Sequence, residues 1–252
     1  MTPSLSPADL HASGLVRLLT SLLEPPVNHG TVAIAERLGR LLDMNGSLKL
    51  SQVHARLARL SFEADPTLAR SLEASCQDVR KALEQRIHDS FTIRERTGFH
   101  IKLPELAADT PLDRCPPFEP YLRFYQAHQR EFGFRLQALQ ADARQAASGV
   151  SLRLTRLAVL DRVLGDFMQP LTQRSLAQIP RLLGQRFSQR FQSYRQQLDA
   201  SFTPTLDDWQ VPEGWLTQFH TELKSTLLLE IDLRMQPILG LIEAINEHTQ
   251  PL

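Results

Sequence analysis

Between residues 117 and 147 apolar side chains recur four and three positions apart: Phe118, Leu122, Tyr125, Phe132, Leu136, Leu139, Ala143 and Ala146. Gln129 is the single polar member of the series. This spacing predicts a long helix that buries one seam against partners, with Gln129 making a polar contact that sets register. Gly149 reads as the cap that ends it. The next stretch, residues 150–168, places Leu154, Leu157, Leu160, Leu164 and Phe167 or Met168 inward, so a short turn and an antiparallel neighbour are expected. Pro170 and Pro180 bracket a kinked or separate turn. A clean stripe follows in Leu183, Phe187, Phe191, Tyr194, Leu198 and Phe202. Residues 203–214 read as a loop, and residues 213–248 as a closing helix that is apolar on more than one face and kinked at Pro237.

The first part of the chain repeats the helical pattern in shorter pieces. Segments 4–24, 31–42, 47–60 and 65–93 each carry an apolar face, the last through Leu68, Leu72, Cys76, Val79, Leu83 and Ile87. The second and third resemble a helix-turn-helix in spacing, but Gln52, His54, Arg56 and Arg59 read as an ordinary solvated face. Residues 97–116 hold Gly98 and Pro104, Pro111 and Pro116 with little periodicity, the mark of a linker or extended strap. No segment alternates with period two. The expected fold class is all-α: an N-terminal helical bundle over 1–96, a strap over 97–116, and a long-helix C-terminal bundle over 117–252.

Composition alters this picture little. The 252 residues carry 28 basic and 28 acidic side chains, so no global attraction to nucleic acid or anionic membrane is imposed. No apolar run approaches the roughly 18 residues that span a bilayer, and the N-terminus lacks secretory-signal features. Cys76 and Cys115 stand outside any CxxC and read as reduced thiols of a cytoplasmic protein. Charge is segregated in the second half. Residues 148–198 hold eight arginines, Arg153, Arg156, Arg162, Arg174, Arg181, Arg186, Arg190 and Arg195, against Asp161 and Asp166, whereas residues 199–252 are acidic. Either these segments face one another and cancel, or Arg153, Arg156, Arg181, Arg186, Arg190 and Arg195 form a nucleic-acid-binding face. The flanking positions of Arg186, Arg190 and Arg195 beside an apolar stripe favour the first.

Catalytic signatures are missing from the sequence. There is no glycine-rich phosphate loop, no HExxH, no GxSxG, and no metal-ligand spacing among the eight histidines. A non-enzymatic protein without cofactor or metal is therefore expected. One constellation stands out, at the start of the long helix. Tyr121, Tyr125 and His128 share one edge, while Arg123 and Arg130, seven apart, lie together outside the seam. They read either as a partner-binding surface or as a densely packed helix start with internal hydrogen bonds.

The order Ser13-Gly14-Leu15-Val16-Arg17-Leu18-Leu19, then Pro120-Tyr121 through His128-Gln129-Arg130, then Ile179-Pro180 and Arg186-Phe187, resembles a bacterial family known as a domain of unknown function. The family looks like the accessory cytoplasmic subunit of type III Zorya anti-phage systems, which work with a MotA/MotB-like membrane motor. The resemblance implies a defence adaptor that binds a second cytoplasmic subunit of the same operon, and through it the motor or DNA. It implies no catalytic residues.

Overall fold

The structure is a computed structural model that describes residues 55, 57–65, 67–92, 101–198 and 203–249. The expected helices over 4–24 and 31–42, most of that over 47–60, and the Ser13–Leu19 motif lie outside the described residues. The fold is all-α, and among the described residues every regular element is a helix. In chain order these are α1 Thr67–Arg70, α2 Leu72–Thr92, α3 Glu119–Val150, α4 Leu152–Leu176, α5 Ile179–Gln197, α6 Leu206–Gln210 and α7 Trp215–Thr249.

The described residues form two compact units that interleave along the chain. The first takes Lys81–Gly133 and Ala177–Leu233; the second takes residues up to Arg80, then Phe134–Leu176 and the chain from Arg234 on.

The first unit is built on aromatic packing. Tyr121, Phe187 and Phe219 are almost completely buried, with ring centroids 4.9–5.5 Å apart. Trp215 packs edge-on against Phe187 and Phe191, and Trp209 edge-on against Phe191. These rings join the start of α3 to α5, α6 and α7, and offset or edge-on geometry adds roughly 1 kcal/mol per pair beyond the area buried. Phe118 also touches Phe187, and it fills the space beside Gly184, where an added Cβ would lie 3.0 Å from its ring. The α6 helix occupies part of the expected loop. Thr205 accepts from the Asp208 backbone N–H, and the Asp208 carboxylate accepts from the Thr205 N–H, a reciprocal cap that holds one and a half turns in place.

In the second unit the α3 seam is buried as its spacing predicts: Leu136, Leu139, Ala143 and Ala146 are all inside. The helix does not end at Gly149. It runs through Gly149 to Val150, and only Ser151 separates it from α4, whose first turn Ser151 caps by accepting from the Leu154 N–H at 3.2 Å. The chain then folds back, and Arg144 on α3 binds Asp161 on α4 at 2.7 Å. Gly149 serves close approach rather than termination. The Asp65 N–H donates to its carbonyl at 2.8 Å, and a Cβ at position 149 would stand 2.5 Å from the Asp65 carbonyl oxygen. The α4 helix continues past Pro170 to Leu176, and α7 continues past Pro237.

The two glycines within α3 therefore predict opposite outcomes. Gly149→Ala forces backbone apart and should cost about 1–3 kcal/mol. Gly133→Ala, where nothing lies within 4 Å, should stabilise by about 0.5–1 kcal/mol through the unfolded state. Urea-unfolding midpoints of the two variants test this; equal shifts would contradict the described close contact.

Candidate functional site

The beginning of α3 is where polar chemistry concentrates in the first unit. Its residues 121, 125, 128 and 129 meet α7 on one side and α2 on the other. Glu230, on α7, has no exposure to solvent. The Tyr125 hydroxyl donates to its Oε2 at 2.6 Å, and the Gln129 amide donates to both carboxylate oxygens at 3.0 and 3.1 Å. A buried carboxylate demands such donors. Gln129 is thus the register-setting polar contact of the seam.

His128 is equally buried, and its Nε2 lies 3.1 Å from Ser90 Oγ. Ser90 spends its single proton on the Ile87 carbonyl at 2.7 Å. His128 must therefore donate through Nε2, which leaves Nδ1 as a bare acceptor with no partner. Burial first, and the nearby Arg86 second, lower its pKa to about 4. His220 Nε2 lies 3.2 Å from the Tyr121 hydroxyl. Burial lowers the His220 pKa to about 4 and pushes the Tyr121 hydroxyl far above its ordinary range. At neutral pH both imidazoles are uncharged and the Tyr121 phenol is protonated. These groups are held in separate internal pairs, Tyr125 with Glu230, His128 with Ser90 and His220 with Tyr121.

The expected contact surface is thereby divided. Tyr121, Tyr125 and His128 are buried core residues, because the helix start is enclosed on a wide arc by α2, α5 and α7. Arg123 and Arg130 remain exposed, and Arg123 pairs with Glu119 one turn back at 3.3 Å. The five residues do not present one continuous face. Two openings adjoin them. A cleft of about 390 Å³ between the ends of α2 and α7 and the strap is lined by Ser90, Lys102, Glu105, Thr217 and His220. A groove of about 390 Å³ is lined by Phe118, Leu122, Gln129, Pro180 and Arg181. The strap is tied to α2 by the Leu103 N–H, which donates to the Ser90 carbonyl at 2.9 Å.

The arginine set divides as well. Arg186 and Arg190 on α5 both bind the Glu222 carboxylate on α7, Arg186 at 3.0 Å, and all three are shielded. Here the basic and acidic segments do face one another. Arg195 donates to the Asp113 carbonyl at 2.9 Å, and Arg181 is exposed. Arg153 and Arg156 are exposed on α4, in the other unit. Glu230 and Glu222, which organise both clusters, could not be singled out from sequence: their only signal is that each lies on a helix otherwise crowded with apolar side chains. Among the described residues no group of three or more His, Cys, Asp or Glu could hold a metal ion, and no helix is long and apolar enough to cross a membrane. Cys76 and Cys115 are free.

With this arrangement in view, comparison with known families decides one point. A profile described as "Protein of unknown function (DUF3348)" matches residues 1–247. The chain belongs to that family. Comparisons with curated proteins and with solved structures each returned no match. What the DUF3348 match supplies is membership along nearly the whole chain, including the Tyr121–Arg130 stretch; it assigns no reaction, ligand or partner.

Two outcomes follow for the buried cluster. Tyr125→Phe removes a donor from a carboxylate shut away from water and should cost about 1–3 kcal/mol, measured by chemical denaturation. Below about pH 6.5 the unfolded chain takes up protons on His128 and His220 that the folded chain refuses until about pH 4. Stability should therefore be unaffected by these groups above pH 6.5 and fall as pH drops toward 4, by up to about 3 kcal/mol for each histidine. His128→Gln should flatten that decline by roughly half; an unchanged slope would remove His128 as its source.

Proposed function

We propose that this DUF3348 protein is a non-enzymatic helical adaptor that acts by holding other proteins. The observation that carries this reading is where the structure leaves apolar area. In the second unit Phe134 is 79% exposed and Leu164 51%, with Leu157 and Phe62 also standing in solvent. Leu157 and Leu164, seven residues apart, share one face of α4, and large apolar side chains left together on a surface favour protein contact. Tyr121, Tyr125, His220 and Glu230 of the first unit are meanwhile engaged in internal hydrogen bonds.

The resemblance to the accessory subunit of type III Zorya systems supplies a setting: cytoplasmic anti-phage defence alongside a MotA/MotB-like membrane motor, with a second cytoplasmic subunit of the same operon as the direct partner. The competing reading is DNA binding through Arg153, Arg156, Arg181, Arg186, Arg190 and Arg195. Arg186 and Arg190 count against it, because a phosphate would have to displace Glu222 from both. The exposed Arg153, Arg156, Arg181 and Arg195 keep it in contention.

The test is purification of the tagged full chain from cells that express its flanking genes. A stoichiometric complex with a co-encoded protein is expected, and a chain that purifies alone under those conditions overturns the adaptor reading. In parallel, duplex DNA affinity should be weak, and Arg186→Glu with Arg190→Glu should lower stability rather than DNA affinity. A steep salt dependence abolished by those two changes would establish the competing reading.

A further inference from the structure

Along α4 a second heptad series runs through Arg153, Leu157, Leu160, Leu164, Phe167, Leu171 and Arg174, spaced four and three throughout. The sequence expectation places Leu157, Leu160 and Leu164 inward. The structure turns Leu157 and Leu164 outward. The buried residues of α4 are Leu154, Thr155, Ala158 and Leu176, on a different face. Leu157 and Leu164 are exposed at 37% and 51%, and Leu160, Phe167 and Leu171 are half-buried. The physical reason lies in the α3–α4 hairpin. Arg144 reaches across to Asp161 and stands 2.9 Å from where a Cβ on Gly165 would be, which sets the α4 face containing 154, 158, 161 and 165 against α3. The heptad face is thereby turned away from α3.

Its charges are of one sign. Arg153 and Arg174 close the ends of the series, and Arg156 borders it one turn inside; all three are exposed and none has a carboxylate partner among the described residues. The acidic residues of α4 are elsewhere on the helix: Asp161 is bound to Arg144, and Asp166 lies away from the series. A seam of this length, about 30 Å, is that of a coiled-coil strand.

We propose that this face of α4 docks an amphipathic helix of a partner protein, one with apolar heptad positions and acidic flanks. The inference rests on the adaptor reading and names its site. Charge selects the occupant. A second copy of the chain would bring arginine against arginine in either orientation, since both ends of the seam are basic. Nucleic acid would leave the intervening leucines and Phe167 unsatisfied. An acidic helix covers the apolar series and meets Arg153, Arg156 and Arg174 together.

The probes are two synthetic four-heptad peptides with leucine at a and d, one carrying glutamate and one lysine at e and g. Fluorescence anisotropy on the full-length chain should show binding of the glutamate peptide and at least tenfold weaker binding of the lysine peptide. Leu157→Glu with Leu164→Glu, at exposed positions where circular dichroism should remain unchanged, should weaken the glutamate peptide at least tenfold. Arg153→Glu, Arg156→Glu and Arg174→Glu combined should reverse the preference in favour of lysine. Equal binding of both peptides, binding of neither, or a preference unmoved by the charge reversal would overturn the proposal. So would self-association of the chain abolished by Leu164→Glu, or DNA binding that the leucine substitutions impair. If the co-encoded complex forms and survives the leucine substitutions, the adaptor reading stands and this site falls.

Discussion

A carboxylate without access to water fixes how α3 and α7 meet in the first unit. Burying Glu230 is costly unless donors surround it, and the donors come from Tyr125 and Gln129 on the facing helix. Sliding α3 by a turn would present it with other side chains. The register that satisfies Glu230 also brings Tyr121 to His220 and sets Tyr121 among Phe187 and Phe219. One polar requirement thus organises a largely apolar core, and the aromatic packing can be dense because its alignment is decided by hydrogen bonds.

Much of the architecture was legible in the sequence because helical periodicity is a local property. The α3 seam, its neighbour α4, the stripe on α5 and the apolar α7 all follow from spacing, and Gln129 stood out as the polar break in its seam. Function-related placement was less legible. Tyr121, Tyr125 and His128 share an edge of a helix, but whether that edge faces solvent depends on α2, α5 and α7, which no local pattern reports. The leucines of α4 show the same limit in reverse. Their heptad spacing is real, yet the Arg144–Asp161 bond and the room beside Gly165 give the inward position to a face with smaller side chains. The α6 helix was readable in principle from Thr205 and Asp208, whose three-residue spacing is that of a cap.

Charge segregation illustrates how composition and geometry divide the work. An excess of arginine followed by an excess of acid is ambiguous until the two are placed. In the first unit Glu222 draws in Arg186 and Arg190. In the second, Arg153, Arg156 and Arg174 have no such counterpart among the described residues. The same residue type therefore serves internal neutralisation in one place and external availability in another.

The close approach of Asp65 to Gly149 has a consequence for how sequences of this fold can vary. Any side chain at 149 requires the Asp65 backbone to retreat, and with it the hydrogen bond that ties the start of α1 to the α3–α4 turn. Substitutions at the turn and in the segment ahead of α1 are thus mechanically linked. Across related chains, a larger residue at the first position should be accompanied by a rebuilt or relocated segment at the second, so the two stretches drift in concert or not at all.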